Sequence, residues 1–472
     1  MLLLVAGVLS ESLWNQATPH GNGNVYLKNS LTGRLRLILF FLDSIMNLRP
    51  STLPILRAFI AVVLFALVPF QAARAQARID LPGEDRELVI EVEEVYSVGS
   101  ITGEEWQTFA RLTGAAFDQE GNLYLLDADN FRVVKVGPDG GLMAEMGGEG
   151  EGPGEFGMPF ALSVTKEGEV RVFDFGYGGF SLFDPDGSYK TSVPMADGMM
   201  IFPSGALLSH PDGGILSADG GGMSIRRGPG GSMDFPTTRP VNLYSFTDEV
   251  EVKSVYEGWN PATADGAPSI QSSGGGGIQI QAPPIRAFDP EIMAGILPDG
   301  RIAVVDSTTY EVKILELDGS VQQIFQRPNP PREVTRRDRE AEKERRLEEM
   351  AASGGPRIMM RTDDGTTSRI ASSQARAMME GRLESMEFAS ERPVVVGMAV
   401  DWAGRVWVER NGDRVGEAGP IDLISHDGTY LGTLEPGEIR IPDAFGPNGL
   451  AAFIEPDELD VPRVVVRKLS LR

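Results

Sequence analysis

Six glycines, Gly121, Gly168, Gly213, Gly300, Gly404 and Gly449, each open a short, mostly apolar run, and the sixth residue after each is ionisable: Asp127, Asp174, Asp219, Asp306, Arg410 and Glu455. Five acids and one arginine at one repeated place allow two readings. Gathered in a ring, the carboxylates would make an acidic mouth able to hold a hard cation such as calcium. Kept within their own loops, each would accept backbone hydrogen bonds as aspartates do in Asx turns. The second reading is the expected one, so no cofactor is required and calcium is the one that the residues leave open. Other chemistry is poorly supplied. Past residue 76 the only histidines are His210 and His426, in different repeats, which excludes a three-histidine zinc centre from the mature chain. Ser163, Ser209 and Ser307 stand in no nucleophile motif. The run GGEGEGPGEF has the glycines of a phosphate loop but no lysine, and Glu149, Glu151 and Glu155 would repel phosphate.

The elements that must position these residues repeat. From Gly114 to Gly140 the chain reads as three short strands: one up to Phe117, a turn, a second from Asn122 to Leu126, then a third from Arg132 to Val136 closed by Pro138, Asp139 and Gly140. The second strand recurs as GNLYLLD, GEVRVFD, GGILSAD, GRIAVVD, GRVWVER and GLAAFIE. Gly121 and Gly168 are 47 residues apart, Gly168 and Gly213 are 45 apart, and Gly404 and Gly449 are 45 apart. A period in the forties built from short strands predicts an all-β fold, a six-bladed β-propeller with four-stranded blades. Both faces of the second strand are apolar: Leu123, Leu125, Val170, Val172, Ile302, Val304, Val406 and Val408 on one, Tyr124, Leu126, Ala303 and Val305 on the other. Strands sandwiched between neighbouring blades require that.

The segment GNLYLLDADNFRVVKVGPDG, through Asp127, Asn130 and Arg132, resembles the NHL-repeat group of six-bladed propellers, and the resemblance extends over the chain after residue 86. It implies the fold. Members of that group include scaffolds, sensors and a few enzymes, so the function has to come from a site.

The 472 residues carry a formal charge of −24, which disfavours nucleic acid and anionic membranes as partners, because both need a basic surface. There is no cysteine, hence no disulfide and no thiolate metal site. Residues 1–76 read as a mis-extended N-terminus followed by a secretory signal at about 46–76. Arg49 and Arg57 precede an apolar run from Ala58 to Phe70, with small residues at Ala73 and Ala75. Cleavage there would release a periplasmic or extracellular protein, expected to be monomeric and free of the membrane. Residues 77–472 then form the propeller. The strand at 87–98, before the first full repeat, is expected to complete the last blade.

Between blades 4 and 5, residues 329–392 break the pattern as a helical insertion. Thr335 is the N-cap of a charged helix reaching Ala352, with Asp338 three residues on. A second helix is expected over 373–388, with Ala375, Met378, Met379, Leu383 and Met386 on one face, packing against the propeller. The reading this supports is an exported binding module for a protein or small ligand, with Phe131, Tyr177, Tyr310, Trp407 and Arg410 as the binding residues. Its rival is a calcium-dependent, lactonase-like hydrolase at the channel mouth. Blade 5, with Trp407, Glu409 and Arg410, is the one break in the ring that catalysis could use.

Overall fold

The computed structural model describes residues 76–196, 199–200, 206–218, 225–227, 233–234, 238–259, 269–272, 278–281, 285–352, 359–361, 367–369, 372–457 and 461–472. The segment read as a signal, Asp219 and most of the glycine-rich stretches flanking blade 3 lie outside them.

The chain folds into six antiparallel sheets in a ring. Blade 1 comprises Leu112–Phe117, Leu123–Asp127, Arg132–Val136 and Leu142–Gly147. Blade 2 is Pro159–Val164, Val170–Asp174, Gly179–Phe183 and Tyr189–Pro194. Blade 3 is Leu208–Ser209, Ile215–Ala218, Arg239–Phe246 and Val250–Gly258. Blade 4 holds Met293–Ile296, Ile302–Val305, Glu311–Leu315 and Val321–Gln326, and blade 5 holds Val395–Val400, Val406–Arg410, Ile421–Ile424 and Tyr430–Leu434. The six turn glycines all adopt φ between 80° and 97°, a region side chains avoid, which is why glycine marks each first hairpin.

Each blade buries both faces. Six apolar clusters lie one between each pair of neighbours, and residues of the second strand alternate between them. Leu123 and Leu125 pack toward blade 6, while Tyr124 and Leu126 pack toward blade 2.

Closure is made by the N-terminal segment. Blade 6 takes Ala444–Phe445, Leu450–Pro456 and Pro462–Leu471 from the end of the chain and Ile90–Val98 from its beginning as the outer strand, Ile90 facing Leu471. The same segment does more than the sequence suggests. Ala77–Asp80 adds a fifth, parallel strand to the outer edge of blade 4, and Leu88 N–H donates to Thr433 O on the outer strand of blade 5. One segment, residues 77–98, therefore ties three blades together.

The insertion leaves blade 4 through a two-stranded stem, Arg332–Glu333 against Glu391–Arg392. Helix α1, Arg336–Ala352, begins at a capping box in which Thr335 N–H and Oγ1 donate to Asp338 Oδ2 at 2.9 and 2.6 Å. Helix α2, Ser372–Glu384, stops short of Phe388 because Glu387–Phe388 pairs with Arg286–Ala287, and Glu387 N–H donates to Ile285 O instead of continuing the helix. Leu383 and Met386 are buried against Ala287, while the side chains of Ala375 and Met378 are outside the described residues.

Candidate functional site

The repeated acids hold backbone and neighbouring cations rather than a common centre. Asp127 Oδ1 accepts N–H from Ala110 and Arg111, both at 3.0 Å, and its Oδ2 accepts from Asn130 and Arg132. Asp174 does the equivalent in blade 2, accepting from Gly157 and Met158 at 2.8 Å and from Gly176 and Tyr177. In both blades the carboxylate at the end of the second strand latches the loop that enters the first. Asp306 pairs with Lys313 and accepts from Tyr256 Oη at 2.7 Å, and Glu455 pairs with Arg467 at 2.8 Å. Among the described residues no group of three or more His, Asp or Glu side chains is placed to share a metal. Asp127→Ala and Asp174→Ala should each lower stability by about 1–3 kcal/mol, the range for stranding buried donors. Added calcium should leave the melting temperature of the wild-type protein unchanged; a calcium-induced rise that disappears in these variants would restore the cation reading.

The five residues picked for binding are dispersed, and most are spent inside the fold. Tyr177 is 49% exposed, whereas Phe131 is half-buried in the cluster between blades 1 and 2. Tyr310 is buried between blades 4 and 5. Trp407 requires correction: it is fully buried, and its indole N–H donates to Asp401 Oδ2 at 2.9 Å. Tyr124, at the same repeat position in blade 1, donates to Asp118 Oδ2 at 3.0 Å in the same way. Trp407 is thus a repeat position filled by a different ring, out of reach of any partner.

Arg410 belongs to a square of charges that is buried at Arg327 and Asp422 and reaches solvent at Asp85. Arg327, fully buried, places Nη1 at 2.9 Å from both oxygens of Asp422 and Nη2 at 2.7 Å from Asp85 Oδ1, while its guanidinium lies over the Tyr430 ring. Arg410 closes the figure, with Nη2 at 2.7 Å from Asp85 Oδ2 and Nε at 3.2 Å from Asp422 Oδ2. Arg327 Nε donates to Pro82 O at 2.7 Å, so the square clamps the N-terminal segment onto blades 4 and 5. Burial pulls the Asp85 carboxyl upward, but the hydrogen bonds and charges of Arg410 and Arg327 outweigh this and hold it below the usual carboxylate range.

Beside this square the stem of the insertion and the 411–420 loop of blade 5 enclose a cleft of about 470 Å³. Its walls include Pro330, Pro331, Pro393, Val394 and Pro420, and its polar groups include Asn329, Arg332, Arg392 and Arg410. Arg332 and Arg392 are directly opposite across the stem, an arrangement of like charges that costs stability. Arg392 has only 4% of its side chain exposed. Its Nη groups donate to Asp413 O at 3.2 Å, Gly412 O at 3.0 Å and Asn411 Oδ1, and its nearest carboxylate oxygen is Asp338 Oδ1 at 3.7 Å. Burial, with Arg332 adding to it, pushes the Arg392 guanidinium below its ordinary value despite the nearby carboxylates. Of eight buried side-chain polar atoms without a hydrogen-bond partner among the described residues, three belong to residues lining this cleft: Asn329 Oδ1, Arg392 Nε and Arg410 Nε, the last of which still lies in its ion pair with Asp422. No sequence signal pointed to Arg332, Arg392 or Asn329, since they meet only through the fold.

A second space, of about 760 Å³, is the central channel, lined by the first strands of all six blades through residues such as Thr113, Phe160, Leu208, Ala294, Met398 and Ala444. Its carboxylates are engaged: Asp401 holds Arg405 and Trp407, and Asp443 holds Arg440 at 2.6 Å.

No family model matches the chain, and no curated protein does. Among solved structures it is similar to virginiamycin B lyase from Staphylococcus aureus at 11% identity, covering 82% of this chain and 100% of that one with a TM-score of 0.33. A gluconolactonase from Xanthomonas campestris matches at 13% identity, 81% and 90% coverage and a TM-score of 0.32. A member of the duf4221 family from Bacteroides vulgatus matches at 8% identity, 81% and 98% coverage and a TM-score of 0.42.

Proposed function

We propose that this protein is an exported binding module whose ligand seats in the cleft between the insertion stem and blade 5. The observation that carries this reading is that the cleft lies where the chain departs from its repeat. The repeated carboxylates at Asp127, Asp174, Asp306 and Glu455 are taken up by bonds within the ring, so recognition falls to what is added to it. A volume of about 470 Å³ suits a small ligand. Export rests on the signal reading of the sequence, and cleavage after Ala75 would leave Ala77, the first residue of blade 4's fifth strand, near the new N-terminus. Among the described residues no helix is long and apolar enough to cross a membrane.

Ala418 is exposed and lines the cleft, so Ala418→Trp should fill the space without disturbing the core. Native mass spectrometry of protein incubated with extracytoplasmic extract should find a small molecule on the wild type and none on the variant, at equal melting temperature. Equal retention by both would place the ligand elsewhere. Replacing residues 335–388 with a short Gly-Ser bridge tests for a protein partner on the same side: the ring should fold, keep the small ligand and lose that partner if the helices carry it.

A further inference from the structure

Resting on that reading, we infer that the cleft takes a small, neutral ligand with a flat aromatic ring system. Five charged side chains belong to the lining, and each already has its partner within the protein. Arg332 meets Asp413 at 2.9 Å, and Glu417 meets Arg414 at 3.5 Å. Arg410 is held in its square, and Arg392 donates to three oxygens of the 411–413 turn with Asp338 close by at 3.7 Å. A ligand of either charge would therefore give up its hydration in a space where no counter-charge is waiting. A neutral ligand avoids that cost.

What the cleft holds in excess is proline. Five of its fifteen lining residues are prolines, whereas a chain with 32 prolines in 472 residues would supply about one to a set of that size. They come from four separate places: Pro330 and Pro331 enter the stem, Pro393 leaves it, Pro420 ends the 411–420 loop, and Pro436 follows the outer strand of blade 5. Pro330 and Pro436 are exposed, Pro331 and Pro420 are half-buried, and Pro393 is buried. A pyrrolidine ring is apolar and fixes its own backbone angle, so such walls stand in place before a ligand arrives. Its C–H bonds beside the amide nitrogen are slightly positive and suit the negative face of an aromatic ring. Proline-rich ligands dock on aromatic grooves for this reason, and here the roles are exchanged. Arg332 adds a surface of the same kind. Its Nη1 and Nη2 donate to Asp413 O at 3.3 Å and Oδ1 at 2.9 Å, in the plane of the guanidinium, which leaves the flat face of a side chain 56% exposed for stacking. A volume of about 470 Å³ admits two fused rings.

Titration of the full exported protein with four probes, followed by saturation-transfer NMR, tests the inference: indole, indoleacetate, tryptamine and cyclohexylmethanol. Indole should bind, and the two charged indoles and the aliphatic alcohol should each bind about tenfold more weakly. Ala418→Trp should abolish indole binding. Pro436→Ala, at an exposed turn closed by Glu438 N–H on Glu435 O, should weaken indole about threefold and leave cyclohexylmethanol unchanged. Equal binding of indole and cyclohexylmethanol, lost in Ala418→Trp, would overturn the aromatic class while leaving the cleft as a site. Tighter binding of indoleacetate or tryptamine than of indole, again lost in Ala418→Trp, would overturn the neutral class in the same way. Indole binding indifferent to Ala418→Trp, or no binding by any probe, would remove the cleft assignment itself.

Discussion

A chain lacking residues 77–98 will not reach a cooperatively folded state. The deletion strips the outer strand from blade 6 and the fifth strand from blade 4. It also removes Val98 and Ile90 from the two apolar clusters on either side of blade 6 and leaves Arg327 and Arg410 without Asp85. Losses of this number exceed a marginal stability of about 5–15 kcal/mol. The exposed edge of the penultimate strand, Pro462–Leu471, would then invite association with other chains. Circular dichroism should show no sharp thermal transition, and light scattering should show aggregates; a melting curve equal to that of the intact protein would refute the closure argument. A shorter deletion, residues 77–86, spares the blade 6 strand and should give a folded but weaker ring.

The second large effect is expected at Asp422, which is fully buried and shared by Arg327 and Arg410. Asp422→Asn keeps the shape and removes the charge, so the buried Arg327 guanidinium loses its fully buried counter-ion and can donate to at most one oxygen in its place. Breaking a buried pair in this way costs about 3–5 kcal/mol. Arg327→Met should cost a comparable amount alone, yet the double variant should lose distinctly less than the sum, because the second change removes the charge that the first had stranded. Urea denaturation of the four proteins measures this directly, and strict additivity would show that the two residues do not act as a pair.

The ring was legible because its signals are local. A glycine at positive φ, an apolar run of fixed length and a polar sixth residue recur within a few residues of one another, so counting from Gly121 or Gly404 finds each hairpin. The capping box at Thr335 and Asp338 was legible for the same reason. What escaped is what the ring brings together. Arg327 and Asp422 are 95 residues apart, and Arg332 meets Arg392 only because the insertion returns on its own stem. The four residues at 77–80 are too few to read as a strand until an edge is offered to them. Trp407 misled for an instructive reason: it departs from the pattern in size while keeping the pattern's bond, which spacing alone does not reveal.

The closing strand also fixes an order of events in time. Ile90–Val98 is made early, but its partner Pro462–Leu471 is the last strand of the ring to be synthesised. At ordinary translation rates of about 5–20 residues per second, the strand waits on the order of tens of seconds for its mate. During that wait it is an unpaired β segment, with Val92 and Val95 among its residues. Its sequence, IEVEEVYSV, sets three glutamates among those valines, and charges of this kind keep a waiting strand from pairing with the wrong neighbour. The acidity of this segment thus serves the chain before the ring exists, and a variant with Glu91, Glu93 and Glu94 made neutral would be lost to aggregation during synthesis even where its finished ring is as stable as the original.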